Sequence, residues 1–277
     1  MRILITNVVG INAPGLHLAE EIAADLAGPD GEVWVVAPDQ ERSGVSHCIS
    51  YVQPTRLTEL APRRYMMDGF PADCILVGLT KLLRDHPPDL VISGVNRGHN
   101  VAEDVLYSGT VGGAMEGGLN RIPSVALSQF YKKPPHGPDD LWITARAFGA
   151  RAVRAVLQMP FPDTVFYNVN FPAVPVEEVR GLTVCPQGVR EEATFEVVDY
   201  TAPNGRNFQF LRHMIANHSA PGGTDARLLL DGWVTVTPLR PQLTASDLLE
   251  KAGAALDGGL DWALDDPGPE PRRVARG

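Results

Sequence analysis

The sequence predicts an α/β protein: a mostly parallel sheet with helices on both faces and a smaller β-rich extension. Three observations carry that prediction. Short, nearly continuous apolar runs recur along the chain, segments of helical period separate them, and polar glycine-containing loops follow the runs.

Residues 2–6 (RILIT) form the first apolar run, followed by a loop containing Gly10 and Pro14. Leu16, Ala19, Ile22, Ala23 and Leu26 then recur at helical spacing until Gly28, Pro29 and Asp30 break the pattern. A second strand is expected at 32–37 (EVWVVA), stopped by Pro38. Residues 51–67 alternate and are interrupted by proline, the pattern of edge strands or a hairpin. The spacing predicts a helix over 71–83, with Pro71 in the first turn, where its missing N–H is harmless. A strand at 90–93 (LVIS), a small-residue helix at 108–119 and a strand at 124–127 follow.

Farther on, the sequence predicts a helix at 141–157 and strands at 165–170 (VFYNVN) and 232–237 (GWVTVT). Between 186 and 223, prolines, aromatics and scattered charges show no steady period, so hairpins or an extended excursion are expected there. Residues 265–277 (DDPGPEPRRVARG) have the composition of a frayed tail. The expected organisation is one domain over 1–265, with an oligomerisation extension at about 186–223 and a disordered tail over 266–277.

Composition narrows the function. The chain has 277 residues, 44% hydrophobic and 21% charged, which suits a folded core. Lys+Arg 24 against Asp+Glu 33 leaves a formal charge of −9, so nucleic-acid polymers and anionic membranes are poor partners. Cys48, Cys74 and Cys185 form no CxxC pair, which argues against a disulfide framework or a zinc knuckle. The N-terminus turns polar at Asn7, and no apolar run approaches the roughly 20 residues of a membrane helix, so a soluble cytoplasmic protein is expected.

Ligands of parallel sheets sit beyond the carboxyl ends of the strands. Three polar loops fall there: 7–12, 39–47 and 94–108. Gly94-Val95-Asn96-Arg97-Gly98-His99-Asn100 combines glycines that admit a ligand with asparagines that donate and accept, although such residues also make plain turns. In Tyr107-Ser108-Gly109-Thr110, Ser108 suits a helix N-cap, and the amides after it suit a phosphate. Arg42-Ser43-Gly44 could offer a hydroxyl to a metal or phosphate, and His47 reads more readily as a hydrogen-bonded loop histidine than as a general acid or base. His213 and His218 lack metal-ligand spacing and are given no site role.

These loops, in this order, resemble the SurE family of stationary-phase survival proteins, metal-dependent 5′-nucleotidases. The resemblance runs through Ala37-Pro38-Asp39, Arg42-Ser43-Gly44, Pro71-Ala72-Asp73-Cys74 and Pro88-Asp89-Leu90-Val91-Ile92-Ser93-Gly94-Val95-Asn96. It continues through Tyr107-Ser108-Gly109-Thr110, Ala114-Met115-Glu116-Gly117, Asn168-Val169-Asn170 and Thr235-Val236-Thr237-Pro238-Leu239.

The resemblance implies a Rossmann-like core, an extension making dimer or tetramer contacts, and hydrolysis of nucleoside monophosphates with Mg²⁺ or Mn²⁺. It implies Ser43 and Asn96 as metal ligands, Asn96 also as a catalytic residue, and Asn7, Ser108, Gly109 and Thr110 on the phosphate side. The family's Asn-Asp-Asp-Gly stands here as Asn7-Val8-Val9-Gly10, so both implied carboxylate ligands are valines. Mg²⁺ is ordinarily held by one or two carboxylates plus substrate phosphates, and neutral oxygens do not replace that charge. The expectation is therefore a SurE-type nucleotidase with impaired metal binding. The alternative is an inactive nucleotide- or phosphate-binding homo-oligomer. A dinucleotide-dependent oxidoreductase is disfavoured because the loop after the first run has no GxGxxG.

Overall fold

The computed structural model describes residues 1–131, 141–191, 195–213 and 220–257, so the expected tail over 266–277 lies outside the described residues. The strands are β1 (Arg2–Thr6), β2 (Glu32–Pro38), β3 (Leu57–Ala61), β4 (Arg64–Met67), β5 (Leu90–Arg97), β6 (Ser124–Gln129), β7 (Phe166–Phe171), β8 (Gly181–Val184), β9 (Phe195–Thr201), β10 (Asn207–His213) and β11 (Trp233–Leu239). Nine of them form one sheet in the order β3-β4-β2-β1-β5-β6-β7-β11-β8. From β4 to β7 every pairing is parallel; β3 runs against β4, and β11 runs against β7 but with β8. β9 and β10 form a separate antiparallel hairpin, within the segment expected to be an extension.

The helices are α1 (Pro14–Ala27), α2 (Pro71–Val77), α3 (Asp104–Tyr107), α4 (Gly109–Leu119), α5 (Ile143–Val156), α6 (Asp225–Leu230) and α7 (Leu249–Asp257). Strand side chains alternate between faces, and here both faces are covered. Ile3, Ile5, Ile92 and Leu127 join the core that includes residues of α1 and α5. Leu4 and Val91 point the other way, into the α2 layer with Cys74 and Ile75. Ala126 and Phe166 meet Val111 and Ala114 of α4 on that second face. Near-continuous apolar strands follow from this two-sided burial.

Two close approaches position the site. A Cβ on Gly15 would fall 2.0 Å from the Val95 carbonyl oxygen, so the start of α1 rests on the backbone of β5. A Cβ on Gly117 would fall 2.2 Å from Ser124 Oγ, so α4 lies directly on β6.

The structure departs from the expected elements in five places among the described residues before Pro241. The helix expected over 71–83 ends at Val77, and a wider turn follows over Gly78–Leu82, closed by the Leu83 amide on the Gly78 carbonyl at 2.8 Å. Residues 94–97, expected as loop, belong to β5, whose pairing with β6 slips between Ser93 and Asn96. Short β8 and six-residue α6 were not expected, being too brief to show a period. The four-residue α3 also escaped notice inside a polar loop.

The chain divides into two compact units, Met1–Pro241 and Gln242–Gly277. The first holds all the strands and α1 to α6; the second contributes α7. Among the described residues, no helix is long and apolar enough to cross a membrane.

Candidate functional site

A cleft of about 770 Å³ opens beyond the carboxyl ends of β1 and β5, where the three loops were expected to converge. Val8, Ser43, Asn96, Ser108 and Gly109 all line it. Sequence reasoning placed these residues together, and the fold brings them together.

The first loop is closed by its own asparagine. Asn7 Nδ2 donates to the Gly10 carbonyl at 2.9 Å, and the Gly10 amide donates to Asn7 Oδ1 at 3.1 Å. Gly10 adopts a φ of 114°, a conformation that a side chain would strain. This turn sends Val8 to the cleft wall and packs half-buried Val9 against the main core. Asn7, expected on the phosphate side, is thus occupied in shaping the loop.

The second loop is tied down at three points. The Arg42 amide donates to the Val8 carbonyl at 2.8 Å and the Ser46 amide to the Tyr107 carbonyl at 2.9 Å. His47 Nε2 lies 2.7 Å from Glu116 Oε2 on α4, while Asn120 Nδ2 donates to the other Glu116 oxygen at 2.8 Å. His47 therefore anchors the loop. Ser43 is exposed at the cleft, and its hydroxyl donates to Glu41 Oε1 at 2.8 Å.

Asn96 is held from behind by a buried amide network. The Asn100 amide donates to Asn170 Oδ1 at 2.8 Å, and Asn100 Nδ2 donates to Ser128 Oγ at 2.7 Å. Asn168 Nδ2 and Asn170 Nδ2 donate to the Asn100 carbonyl at 2.7 and 3.1 Å. The asparagines of β7 thus fix the segment that carries Asn96, whose own Nδ2 donates to the Gly98 carbonyl at 2.9 Å.

At the start of α4, Ser108 Oγ accepts the Val111 amide at 3.1 Å, as an N-cap should. The amides of Gly109 and Thr110 have no intrahelical acceptor, and the helix dipole favours an anion there. The Thr110 side chain is fully buried, its Oγ1 has no hydrogen-bond partner among the described residues, and it does not line the cleft.

The facing wall holds groups that sequence spacing did not reveal. Asp104 Oδ1 accepts His213 Nε2 at 2.9 Å, and Arg190 donates to the two Asp104 oxygens at 3.1 and 2.8 Å. Burial alone would raise the Asp104 carboxyl, but the bonds from His213 and Arg190 outweigh it and hold it down at about 2. An ionised carboxylate only accepts, so His213 Nε2 must carry the proton. His213, given no role from spacing, is therefore a cleft residue, because its partner lies in α3 rather than nearby in sequence. His218 lies outside the described residues.

His99 lines the same wall, stacked on Phe130 with ring centroids 4.8 Å apart, its Nδ1 3.6 Å from Asp104 Oδ2 and its buried Nε2 without a partner among the described residues.

A divalent metal does not fit the residues present. The cleft side chain at the end of β1 is an aliphatic valine, and Ser43 and Asn96, whose hydrogen bonds are donated and leave their oxygens open, offer only neutral ligands. Among the described residues lining the cleft, Asp104 is the sole carboxylate, and Arg190 and His213 occupy it. The described residues also contain no group of three or more His, Cys, Asp or Glu that could hold a metal ion.

Burial lowers His99 from 6.5 to about 4, the nearby Asp104 charge only partly opposing it. The unfolded chain therefore binds a proton that the folded chain refuses between those values. Its contribution to stability is complete above pH 6.5 and is lost as pH falls towards 4. We expect urea midpoints to fall from pH 7 to pH 5, and His99→Phe, which keeps the stack on Phe130, to flatten that slope. Equal slopes for both proteins would contradict the assignment.

A family profile described as "Survival protein SurE" matches residues 3–194. A protein of Cereibacter sphaeroides named 5′-nucleotidase SurE is 52% identical over 260 residues, covering 92% of this chain and 100% of its own. A protein of the same name from Ruegeria pomeroyi is 49% identical, with the same coverage of 92% and 100%. The crystal structure of the SurE protein from Aquifex aeolicus matches with a TM-score of 0.78 at 34% identity, over 92% of this chain and 99% of that one. With the profile spanning most of the chain and these relatives matched along nearly their whole length, the chain belongs to the SurE family.

Proposed function

We propose that the chain is a SurE-type 5′-nucleotidase scaffold that takes the phosphate of nucleoside monophosphates at Ser108 and Gly109, beside Asn96, with metal-dependent hydrolysis weak or lost. The reaction class rests on relatives named 5′-nucleotidase SurE. The qualification rests on one observation: Val8, 3% exposed, presents its side chain to the cleft directly against the start of α4. The Mg²⁺ or Mn²⁺ implied by the resemblance would have Ser43 and Asn96 as donors, and these neutral oxygens lack the charge that holds such an ion. Binding of the nucleotide by free amides, without metal, is what the cleft retains.

Phosphate release from adenosine 5′-monophosphate tests this reading. Adding Mn²⁺ or Mg²⁺ to the purified chain is expected to leave the rate at its metal-free level. The paired change Val8→Asp with Val9→Asp is expected to create metal-dependent release, with some loss of stability because Val9 packs against the core. Metal-dependent turnover by the unaltered chain as fast as that of the paired variant would overturn the reading.

The reading extends to a cytoplasmic homo-oligomer. A two-stranded hairpin is marginal alone, and β9–β10 exposes Val197 at 64%, Phe210 at 59% and Leu211 at 73%. A second copy is the partner proposed for this surface. Sedimentation at micromolar concentration is expected to show a dimer or larger, and a monomer would count against it.

A further inference from the structure

We propose that a second cavity, between α5 and the edge strand β8, binds a small amphipathic carboxylate, with the Arg151 guanidinium pairing its charged end. The cavity measures about 330 Å³, at the small end of the range for organic ligands, and shares no lining residue with the cleft. The proposal therefore stands apart from the nucleotide reading.

The hollow follows from how far α5 reaches across the sheet. Ala152, Val153 and Val156 of α5 share the main core with Val169 of β7 and with Val234 and Val236 of β11. β8 lies one strand farther out and is the last strand of the sheet. Its Leu182 and Val184 are in register with Val234 and Val236, so they point to the same side as α5. They stay 36% and 56% exposed, because the helix does not cover them. Along α5, Phe148, Arg151, Ala152 and Ala155 recur at helical spacing and line the cavity. The two alanines leave room that longer side chains would fill, and Leu182 and Val234 close the sheet side.

Arg151 gives the cavity its charge preference. The other two arginines of α5 are occupied by α1: Arg146 pairs with Glu21, and Arg154 with Asp25. Arg151 lies about 140° round the helix from Arg146, on the flank that lines the cavity. Among the described residues it has no hydrogen-bond or ion-pair partner, and it is the only charged residue in the lining. Arg180, next to β8, sits over the Trp233 ring at 5.9 Å instead. An unpaired guanidinium beside apolar walls suits a ligand with one carboxylate and a hydrocarbon body. The body takes Phe148, Leu182 and Val234 surface out of water, and the fork of the cation orients the carboxylate. A sugar phosphate fits poorly, since its hydroxyls would meet no polar side chain among the other lining residues.

Calorimetry on the full chain with octanoate, octanol and acetate tests the site. Octanoate is expected to bind once per chain. Octanol and acetate, each lacking one half of the chemistry, are expected to bind about tenfold more weakly. Arg151→Gln, at an exposed position, is expected to weaken octanoate about tenfold and leave octanol unchanged. Ala155→Leu fills the cavity from a half-buried position and is expected to abolish octanoate binding. Circular dichroism verifies the fold of each variant; should Ala155→Leu not fold, Arg151→Gln and the octanol comparison decide alone. Inorganic phosphate is expected not to compete with octanoate, whatever its own affinity for the cleft. The proposal is overturned if octanoate does not bind, if octanol binds equally, or if Arg151→Gln leaves octanoate unaffected. Octanoate binding that persists in folded Ala155→Leu, or that phosphate displaces, places the ligand elsewhere and overturns it as well.

Discussion

Everything the cleft presents is set by how closely α4 lies on the ends of the central strands. Glycine inside a helix costs about 1 kcal/mol relative to alanine, and α4 carries several. Their return is proximity: a Cβ on Gly112 would fall 2.4 Å from the Ser46 carbonyl oxygen, and one on Gly109 would fall 2.8 Å from Val8 Cγ2. The helix start is thereby brought against the first and second loops at once. The Ser46 bond to Tyr107 and the His47–Glu116 pair then hold that arrangement in register.

Around this packing the cleft has two chemically different sides. One carries the α4 amides, Asn96 and the Val8 side chain; it offers hydrogen bonds and a dipole but no free carboxylate. The other carries Asp104, buried and ionised between Arg190 and His213, and His99, which burial keeps neutral at ordinary pH. In other words, the Asp104 charge is balanced internally by Arg190 and His213, while the exposed Arg97 also lines the cleft. An anion bound there would meet the backbone amides at the start of α4 and the Arg97 side chain of the cleft wall.

The parallel core was legible because its strands are buried on both faces, which leaves an unmistakable apolar signature in 2–6, 32–37 and 90–93. The convergence of Val8, Ser43, Asn96 and Ser108 was legible for the same reason, since parallel strands place their following loops on one edge. Asn7 and Thr110 were harder: residue type marked them as polar site candidates, but turn closure and helix phase direct their side chains elsewhere. His213, Asp104 and Arg190 were invisible as a group because their contact joins α3 to segments about a hundred residues away through tertiary packing. Arg190 lies outside regular structure, and four-residue α3 is too short to show a period.

The proposed function has the nucleotide bound in this cleft without metal. The most direct measurement is the affinity for adenosine 5′-monophosphate, determined by calorimetry in EDTA and again in millimolar Mn²⁺. Equal affinities in the two conditions are what the valine-lined cleft predicts. Tenfold or greater tightening with Mn²⁺ would show a metal bridging protein and phosphate, and would contradict it.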